Sequence, residues 1–282
     1  MKLSIVLSTH TAQFQAATFK GDLGANLAKI AGWGYDGVEL AIRDPGLVDA
    51  GELLNVAAAQ GLEIPAIGTG QAWGEEGLSY TDPDPAVRAA AIERTIAHVP
   101  LAAQAGAVII IGLLRGIVKP GVGQEQAMEW LVDALRQACA AASEQGARIA
   151  LEPICRYETT LINNVAQGLD LVERVGAENM GLLLDTFHMN IEEPVIEDSI
   201  RACGDRIFHF HVADSQRWYP GSGHLDFSSI LDALYSSGYD GYVSGEWLPE
   251  PDADTSAEKG IIYLRGLSLQ LSGKVAALED GR

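Results

Sequence analysis

Short apolar runs and longer amphipathic runs alternate along the whole chain, eight times in all, and this alternation limits the possible folds more than any other feature of the sequence. The apolar runs have the length and β-branched composition of buried strands. The runs between them, such as residues 85–106 and 125–146, carry apolar residues at helical spacing. The predicted strands are KLSIVLS, GVELAI, EIPAIGT, AVIIIGLL, RIALEPI, GLLLDT, RIFHFHVAD and GYVSGEW.

Eight strands that are each followed by a helix predict a single (β/α)₈ TIM barrel over residues 1–282. A last helix, at about residues 256–279, is expected to pack on the barrel. A doubly wound open sheet is the alternative, but the sequence after the first strand lacks the G-x-G-x-x-G loop of dinucleotide-binding folds. Glycines are predicted to end several helices in the left-handed conformation, at Gly34, Gly61, Gly106 and Gly146.

Composition and charge exclude several classes of protein. No apolar run approaches the roughly 20 residues that a membrane span needs, and the apolar part of MKLSIVLSTH is too short for a signal peptide. Three cysteines at unrelated spacings indicate neither a disulfide framework nor a zinc ribbon, so we expect a cytoplasmic protein. The formal net charge of −19 argues against nucleic acid as a partner.

Four consecutive predicted strands, the fifth to the eighth, end in side chains that can bind a metal: Glu152, Asp185, His211 and Glu246. The carboxyl ends of barrel strands share one face, so we expect these side chains to lie together. A lone carboxylate at such a position is commonly a helix N-cap or a solvated charge, but four strand ends in succession are hard to explain by capping. Three carboxylates and one imidazole suit a divalent cation, with Mn²⁺ the preferred ion and Mg²⁺ or Co²⁺ as alternatives.

Three nearby features carry further predictions. His209 shares a strand face with His211 and is predicted to be a buried, hydrogen-bonded core residue. The stretch GLLLDTFHMNIEE is predicted to run from a buried strand into a polar loop. Residues 68–84 are rich in glycine and acidic residues and are predicted to form a rim loop, in which Trp73 and Tyr80 could close over a ligand.

The motifs around these strand ends are LEPICRYET, LLLDTFHMNIEE, FHFHVADSQRW followed by PGSGHLDF, and SGEWLP. With them the chain resembles the sugar isomerase and epimerase barrels related to xylose isomerase, in particular the ketose 3-epimerases of the tagatose/psicose type. The motifs LSIVLST, FKGDL, RDP, AIGTGQA and VIIIGLLRG are similar to one branch, the 5-keto-L-gluconate epimerases, which interconvert that acid with D-tagaturonate. The resemblance therefore extends almost from end to end.

The resemblance implies that Glu152, Asp185, His211 and Glu246 bind one divalent metal ion. It also implies that Glu152 and Glu246 lie on opposite sides of the reacting carbon. Such a pair can remove the proton next to a ketone from one face and return one to the other. The metal would stabilise the charge of the enediolate that forms in between.

The resemblance further implies that His188 and Arg217 contact the substrate oxygens around the reacting carbon, and that Glu158 hydrogen-bonds farther along the sugar. The expected partner is thus a small sugar or sugar acid, and a homo-oligomer is also implied.

A sugar acid requires a receptor for its carboxylate, and the planar guanidinium group is the natural bidentate one. Arg115 follows the fourth strand in IGLLRG, and Arg43 follows the second in AIRDP, both at the predicted catalytic end. We predict that Arg115 binds the substrate carboxylate, with Arg43 as a second candidate.

Four other functions compete with the epimerase. An aldose–ketose isomerase of the hydroxypyruvate isomerase type uses the same enediol chemistry, and an inosose dehydratase uses similar metal ligands. A DNA-repair endonuclease of this superfamily would need histidines at strand ends two to four, and AIRDP, AIGTGQ and IGLLRG contain none. A sugar-binding module would not need two acid/base carboxylates.

Overall fold

Eight parallel strands close into a barrel in the computed structural model, which describes the backbone of residues 1–280 and the side chains of residues 1–271. Each strand pairs with the next, and the last closes the ring on the first through Lys2–Tyr242 to Ile5–Gly245. The strands are β1 (Lys2–Ser8), β2 (Glu39–Ala41), β3 (Ala66–Gly68), β4 (Val108–Ile111), β5 (Arg148–Leu151), β6 (Met180–Asp185), β7 (Ile207–Val212) and β8 (Tyr242–Gly245). A two-residue strand, Phe19–Lys20, also pairs with β1. The predicted TIM barrel is confirmed.

Helices connect the strands, as a parallel sheet requires. Within residues 1–280 they are α1 (Leu23–Gly32), α2 (Ala50–Ala59), α3 (Gln71–Glu76), α4 (Pro85–Ala105), α5 (Gln124–Glu144), α6 (Val165–Val175), α7 (Thr186–Glu192), α8 (Ile196–Cys203), α9 (Phe227–Ser236) and α10 (Ala253–Asp280). Side-chain caps define several starts: Asp49, Asp84 and Asn164 each accept a hydrogen bond from a backbone N–H in the first turn. The four glycines predicted to follow helices are all left-handed, with φ between 69° and 88°.

The alternation of side chains along the strands separates two regions of the core. Ala66, Val108, Ile110, Ala150 and Leu183 form one buried cluster inside the barrel, and the residues between them along each strand pack under the helices in a much larger cluster. Glu152 and Asp185 lie two positions beyond the inward residues Ala150 and Leu183, so they also point inward. This is why polar groups at the ends of different strands can meet.

Two segments that were predicted as loops contain short helices. Helix α3 lies within residues 68–84, and the segment after β6 forms α7. The Asp185 side chain caps α7 by accepting a hydrogen bond from the Phe187 N–H at 2.8 Å. Because seven residues are too few to show a helical repeat, the cap was the only local signal.

The long final helix α10 packs on the barrel through its first turns. Tyr35 donates a hydrogen bond to the carbonyl of Ala257 at 2.9 Å, and Ile261 and Leu264 are buried. Among the helices described, none combines the length and the apolar character that crossing a bilayer requires.

Candidate active site

The ends of β5, β6, β7 and β8 bring together the four residues that the sequence analysis selected. One ligand atom from each of Glu152, Asp185, His211 and Glu246 lies within 4.8 Å of the others. The first three are almost fully buried, and the Glu246 side chain is 12% exposed. This spacing would allow all four atoms to reach a single ion.

Three of these side chains hold a buried polar atom that has no hydrogen-bond partner within the described residues: Glu152 Oε1, Asp185 Oδ2 and His211 Nδ1. In Asp185 and His211 the other polar atom is used, since Asp185 Oδ1 caps α7 and His211 Nε2 contacts a carboxylate. A buried polar atom without a partner is costly, and such atoms on three different strands fit a missing common partner. Carboxylate oxygens and one imidazole nitrogen are the donor set of a hard or borderline divalent cation.

The electrostatics of the cluster also favour a cation. Burial, and then the charge of Glu246, raises the pKa of Glu152 well above its ordinary value. Burial raises the pKa of Asp185, and it raises that of Glu246 to about 7. Burial would lower the pKa of His211, but the surrounding carboxylates outweigh it and raise that pKa to about 10. These raised pKa values reflect a concentration of negative charge in the cluster, and a divalent ion could neutralise that charge in place of protons.

A buried carboxylate that the sequence analysis missed lies behind His211. Glu39, at the start of β2, accepts hydrogen bonds from His209 Nε2 at 2.8 Å and from His211 Nε2 at 2.9 Å. His209 is thus the buried, hydrogen-bonded core histidine that was predicted. The signal for Glu39 was a charged residue inside the otherwise apolar run GVELAI.

The residues expected around the substrate line the same cavity, which has a volume of about 280 Å³. Arg217 donates to Glu158 Oε1 at 2.9 Å and to Glu246 Oε2 at 3.1 Å, and its guanidinium lies 4.7 Å from the centre of the Phe187 ring. His188, on α7, has its Nε2 3.6 Å from Glu152 Oε1. The three predicted substrate contacts therefore surround the two carboxylates proposed for proton transfer.

The remaining cavity wall is largely apolar and includes residues that the motifs did not indicate. It is formed mainly by Val6, Phe14, Trp73, Ile110, Leu113 and Ile154, together with Gln71 and Glu75 of α3. Trp73 thus takes the rim position that was predicted for it. The prediction for Tyr80 was wrong, because this side chain is fully buried and hydrogen-bonded to Thr95.

The prediction that Arg115 binds a substrate carboxylate is wrong. Its side chain is fully buried, and it does not line the cavity as far as the described residues define it. Its guanidinium donates to the backbone carbonyls of Gly112, Glu152, Leu161 and Ile162. The glycine-flanked turn after β4 folds the arginine inward, where it fixes the loop that follows β5.

Arg43 also differs from its prediction as a direct substrate contact. It donates to Glu75 Oε2 at 2.9 Å and lies 3.3 Å from Glu76. Glu75, rather than Arg43, is the one that lines the cavity among the residues described.

Comparison with known proteins agrees with this geometry. Residues 27–267 match the family described as xylose isomerase-like TIM barrel. An L-ribulose 3-epimerase of Mesorhizobium japonicum is 32% identical over 266 residues, which cover 93% of this chain and 87% of that protein. Another L-ribulose 3-epimerase, of a Methylomonas species, is 30% identical over 270 residues, covering 92% of this chain and 93% of the relative.

Solved structures show the same likeness. A structure of L-ribulose 3-epimerase superposes with a TM-score of 0.84 at 27% identity, covering 99% of this chain and 98% of the other. A Methylomonas D-allulose 3-epimerase in complex with D-allulose superposes with a TM-score of 0.79 at 26% identity, covering 94% of this chain and 97% of the other.

Proposed function

Because the chain belongs to the xylose isomerase-like TIM barrel family and matches an L-ribulose 3-epimerase over 93% of its length, we propose that it is a metal-dependent ketose 3-epimerase. The observation that carries the proposal is the cluster at the ends of four strands. Its unpartnered buried atoms fit one divalent cation, and two of its carboxylates, Glu152 and Glu246, line the cavity.

The two carboxylates supply the proton chemistry in this proposal. Epimerisation next to a ketone requires removal of a proton from one face of the carbon and delivery of a proton to the other. Burial raises the pKa of both Glu152 and Glu246, the latter to about 7, so burial favours the protonated form of each carboxyl that an acid needs. One acts as base in the forward direction, and the same group acts as acid in reverse.

The metal ion, when bound by Glu152, Asp185, His211 and Glu246, would act as a Lewis acid that stabilises the enediolate charge. The protein's own groups do the rest. Arg217 bridges Glu158 and Glu246, so it orients the Glu246 carboxylate and adds positive charge beside the reacting carbon. His188 lies close enough to Glu152 to contact a substrate oxygen beside the reacting carbon. The apolar walls exclude water from the cavity.

The substrate class has a broad and a narrow version. The broad version is a ketose or keto-sugar acid that is epimerised at the carbon next to its ketone. The narrow version, conversion of 5-keto-L-gluconate to D-tagaturonate, is supported by the N-terminal motifs but no longer by Arg115. Within the described cavity wall Arg217 is the one arginine or lysine, and two of its nitrogens already bond carboxylates.

The test is a substrate screen on protein stripped with a chelator and reloaded with Mn²⁺. L-ribulose, D-fructose, D-tagatose, 5-keto-L-gluconate and D-tagaturonate would each be incubated in D₂O, with NMR following deuterium incorporation and epimer formation. We expect exchange together with a 3-epimer, and loss of both in the Glu152→Gln and Glu246→Gln variants. Conversion to an aldose would favour the isomerase, loss of water the dehydratase, and binding without exchange the sugar-binding module.

A further inference from the structure

Glu39 forms a contact across the inside of the barrel. It lies at the start of β2, and its partners His209 and His211 lie on β7, which is not a neighbour of β2 in the sheet. The carboxylate is buried, with 2% of the residue exposed. Its hydrogen bonds to the two imidazoles measure 2.8–3.1 Å.

The chemistry of these contacts dictates the protonation of both rings. An ionised carboxylate only accepts hydrogen bonds, so each imidazole must carry a hydrogen on the Nε2 that faces Glu39. A histidine binds a metal ion only as a neutral imidazole, and in that form the lone pair is on Nδ1. In His211 that Nδ1 is the buried atom without a hydrogen-bond partner among the described residues, and His211 contributes a ligand atom to the four-residue cluster.

A purely structural role would not call for this arrangement. A buried carboxylate costs free energy unless it is hydrogen-bonded, and an apolar side chain of similar size could fill the same space. The residues beside it on the two neighbouring strands, Val6 and Ala66, are apolar. Glu39 replaces such a residue at the place where it can orient a proposed metal ligand.

We propose that Glu39 is a positioning residue that holds His211 with Nε2 protonated and Nδ1 free to bind the divalent metal, and that His209 holds Glu39 in place for this. The inference rests on the proposed function, because it requires the metal site. Carboxylates that orient a ligating histidine commonly contribute 10–100-fold to metal affinity.

The test compares Mn²⁺ affinity, by calorimetry on chelator-stripped protein, for the wild type and Glu39→Gln. In this variant one acceptor oxygen becomes an NH₂ donor and the negative charge is lost, so both Nε2–H groups would depend on the one oxygen that remains. We expect Mn²⁺ to bind the variant roughly 10–100-fold more weakly. The matched control is Glu63→Gln, the same change at an exposed carboxylate that pairs with Lys2, which should bind Mn²⁺ like the wild type.

A second readout separates positioning from general destabilisation. Nitrogen-15 NMR of the Mg²⁺-loaded protein reports which ring nitrogen of each histidine carries hydrogen. We expect the Nε2–H form for His209 and His211 in the wild type, and a change in at least one of them in Glu39→Gln. Glu39→Asp, which keeps both acceptors, should retain the wild-type tautomers and lose less affinity than Glu39→Gln. If the glutamine variant does not fold, Glu39→Asp is compared with the wild type instead.

The outcomes distinguish the two proposals. A wild type that binds no Mn²⁺ overturns the proposed function. A wild type that binds Mn²⁺, with Glu39→Gln binding it equally well or keeping both tautomers, overturns the role of Glu39 alone.

Discussion

Replacement of Arg115 with methionine tests whether this arginine supports the fold rather than binding the substrate. Its guanidinium bonds four backbone carbonyls and has no exposed surface. Burial lowers its pKa to about 10, against the raising effect of the Glu152 charge, so it remains a cation at neutral pH. Methionine has a similar length but no donor, so the variant removes the hydrogen bonds while filling much of the space.

The number of carbonyls left without a donor determines how much unfolding free energy the variant loses. Gly112 and Ile162 each have a second donor, the N–H of Arg115 itself at 3.2 Å and that of Ile154 at 3.2 Å. In the described part of the chain, the carbonyls of Glu152 and Leu161 would keep none. Each buried carbonyl left without a donor costs about 1–3 kcal/mol, so we expect a loss of about 2–6 kcal/mol. For a chain of this size that lowers Tm by roughly 4–24 °C.

Thermal and urea unfolding, followed by circular dichroism in the presence of chelator, measure this loss without any contribution from metal. Arg115→Lys should fall between the two proteins, because one ammonium group cannot reach all the carbonyls. Steady-state kinetics on keto-acids and neutral ketoses should show equal changes in KM. A stable Arg115→Met protein that selectively loses its affinity for keto-acids would refute the structural role and restore the carboxylate receptor.

Three further predictions have defined outcomes. Glu75→Gln removes a negative charge from the cavity wall, so the ratio of kcat/KM for a keto-acid to kcat/KM for a neutral ketose should rise. The control is Glu76→Gln, which lies on the same helix but outside the described cavity wall and should leave this ratio unchanged. Gly245→Ala would push its new methyl group into the Trp247 ring and should cost about 1–3 kcal/mol in urea unfolding, while Gly266→Ala, in open space on α10, should be neutral or stabilising. All three thiols are buried and burial raises the pKa of each, so Ellman's reagent should label none in the native protein and all three after denaturation.

The barrel was predictable because two periodicities alternate with little interruption. Each predicted strand overlaps an observed one, and the glycines that end helices mark the boundaries. The short helices α3 and α7 were not predictable from periodicity, because a helix of six or seven residues makes fewer than two turns. Tertiary contacts at the mouth of the barrel determine them instead.

Site residues that directly follow a strand could be predicted from the sequence, whereas residues placed by a turn or a short helix after the strand could not. Glu152 and Glu246 follow β5 and β8 directly, so strand direction alone places them. Arg115 ends a short 3₁₀ turn, Leu113–Arg115, between two glycines, and its side chain is buried against backbone carbonyls. Arg43 does point toward the rim, but its position depends on Glu75, which comes from α3, a helix that the sequence did not reveal.

Asp185 shows why capping and metal binding are not alternatives. One oxygen caps α7, and the other is buried in the cluster without a hydrogen-bond partner among the residues described. The cap starts a helix at the strand end, and the first turn of that helix carries His188 back over Glu152. A side chain that served only as a cap would have both oxygens near backbone N–H groups or solvent. Because one carboxylate both caps α7 and offers a ligand oxygen, the position of that oxygen is linked to the placement of His188. Loss of the cap should therefore disturb the ligand oxygen and His188 together.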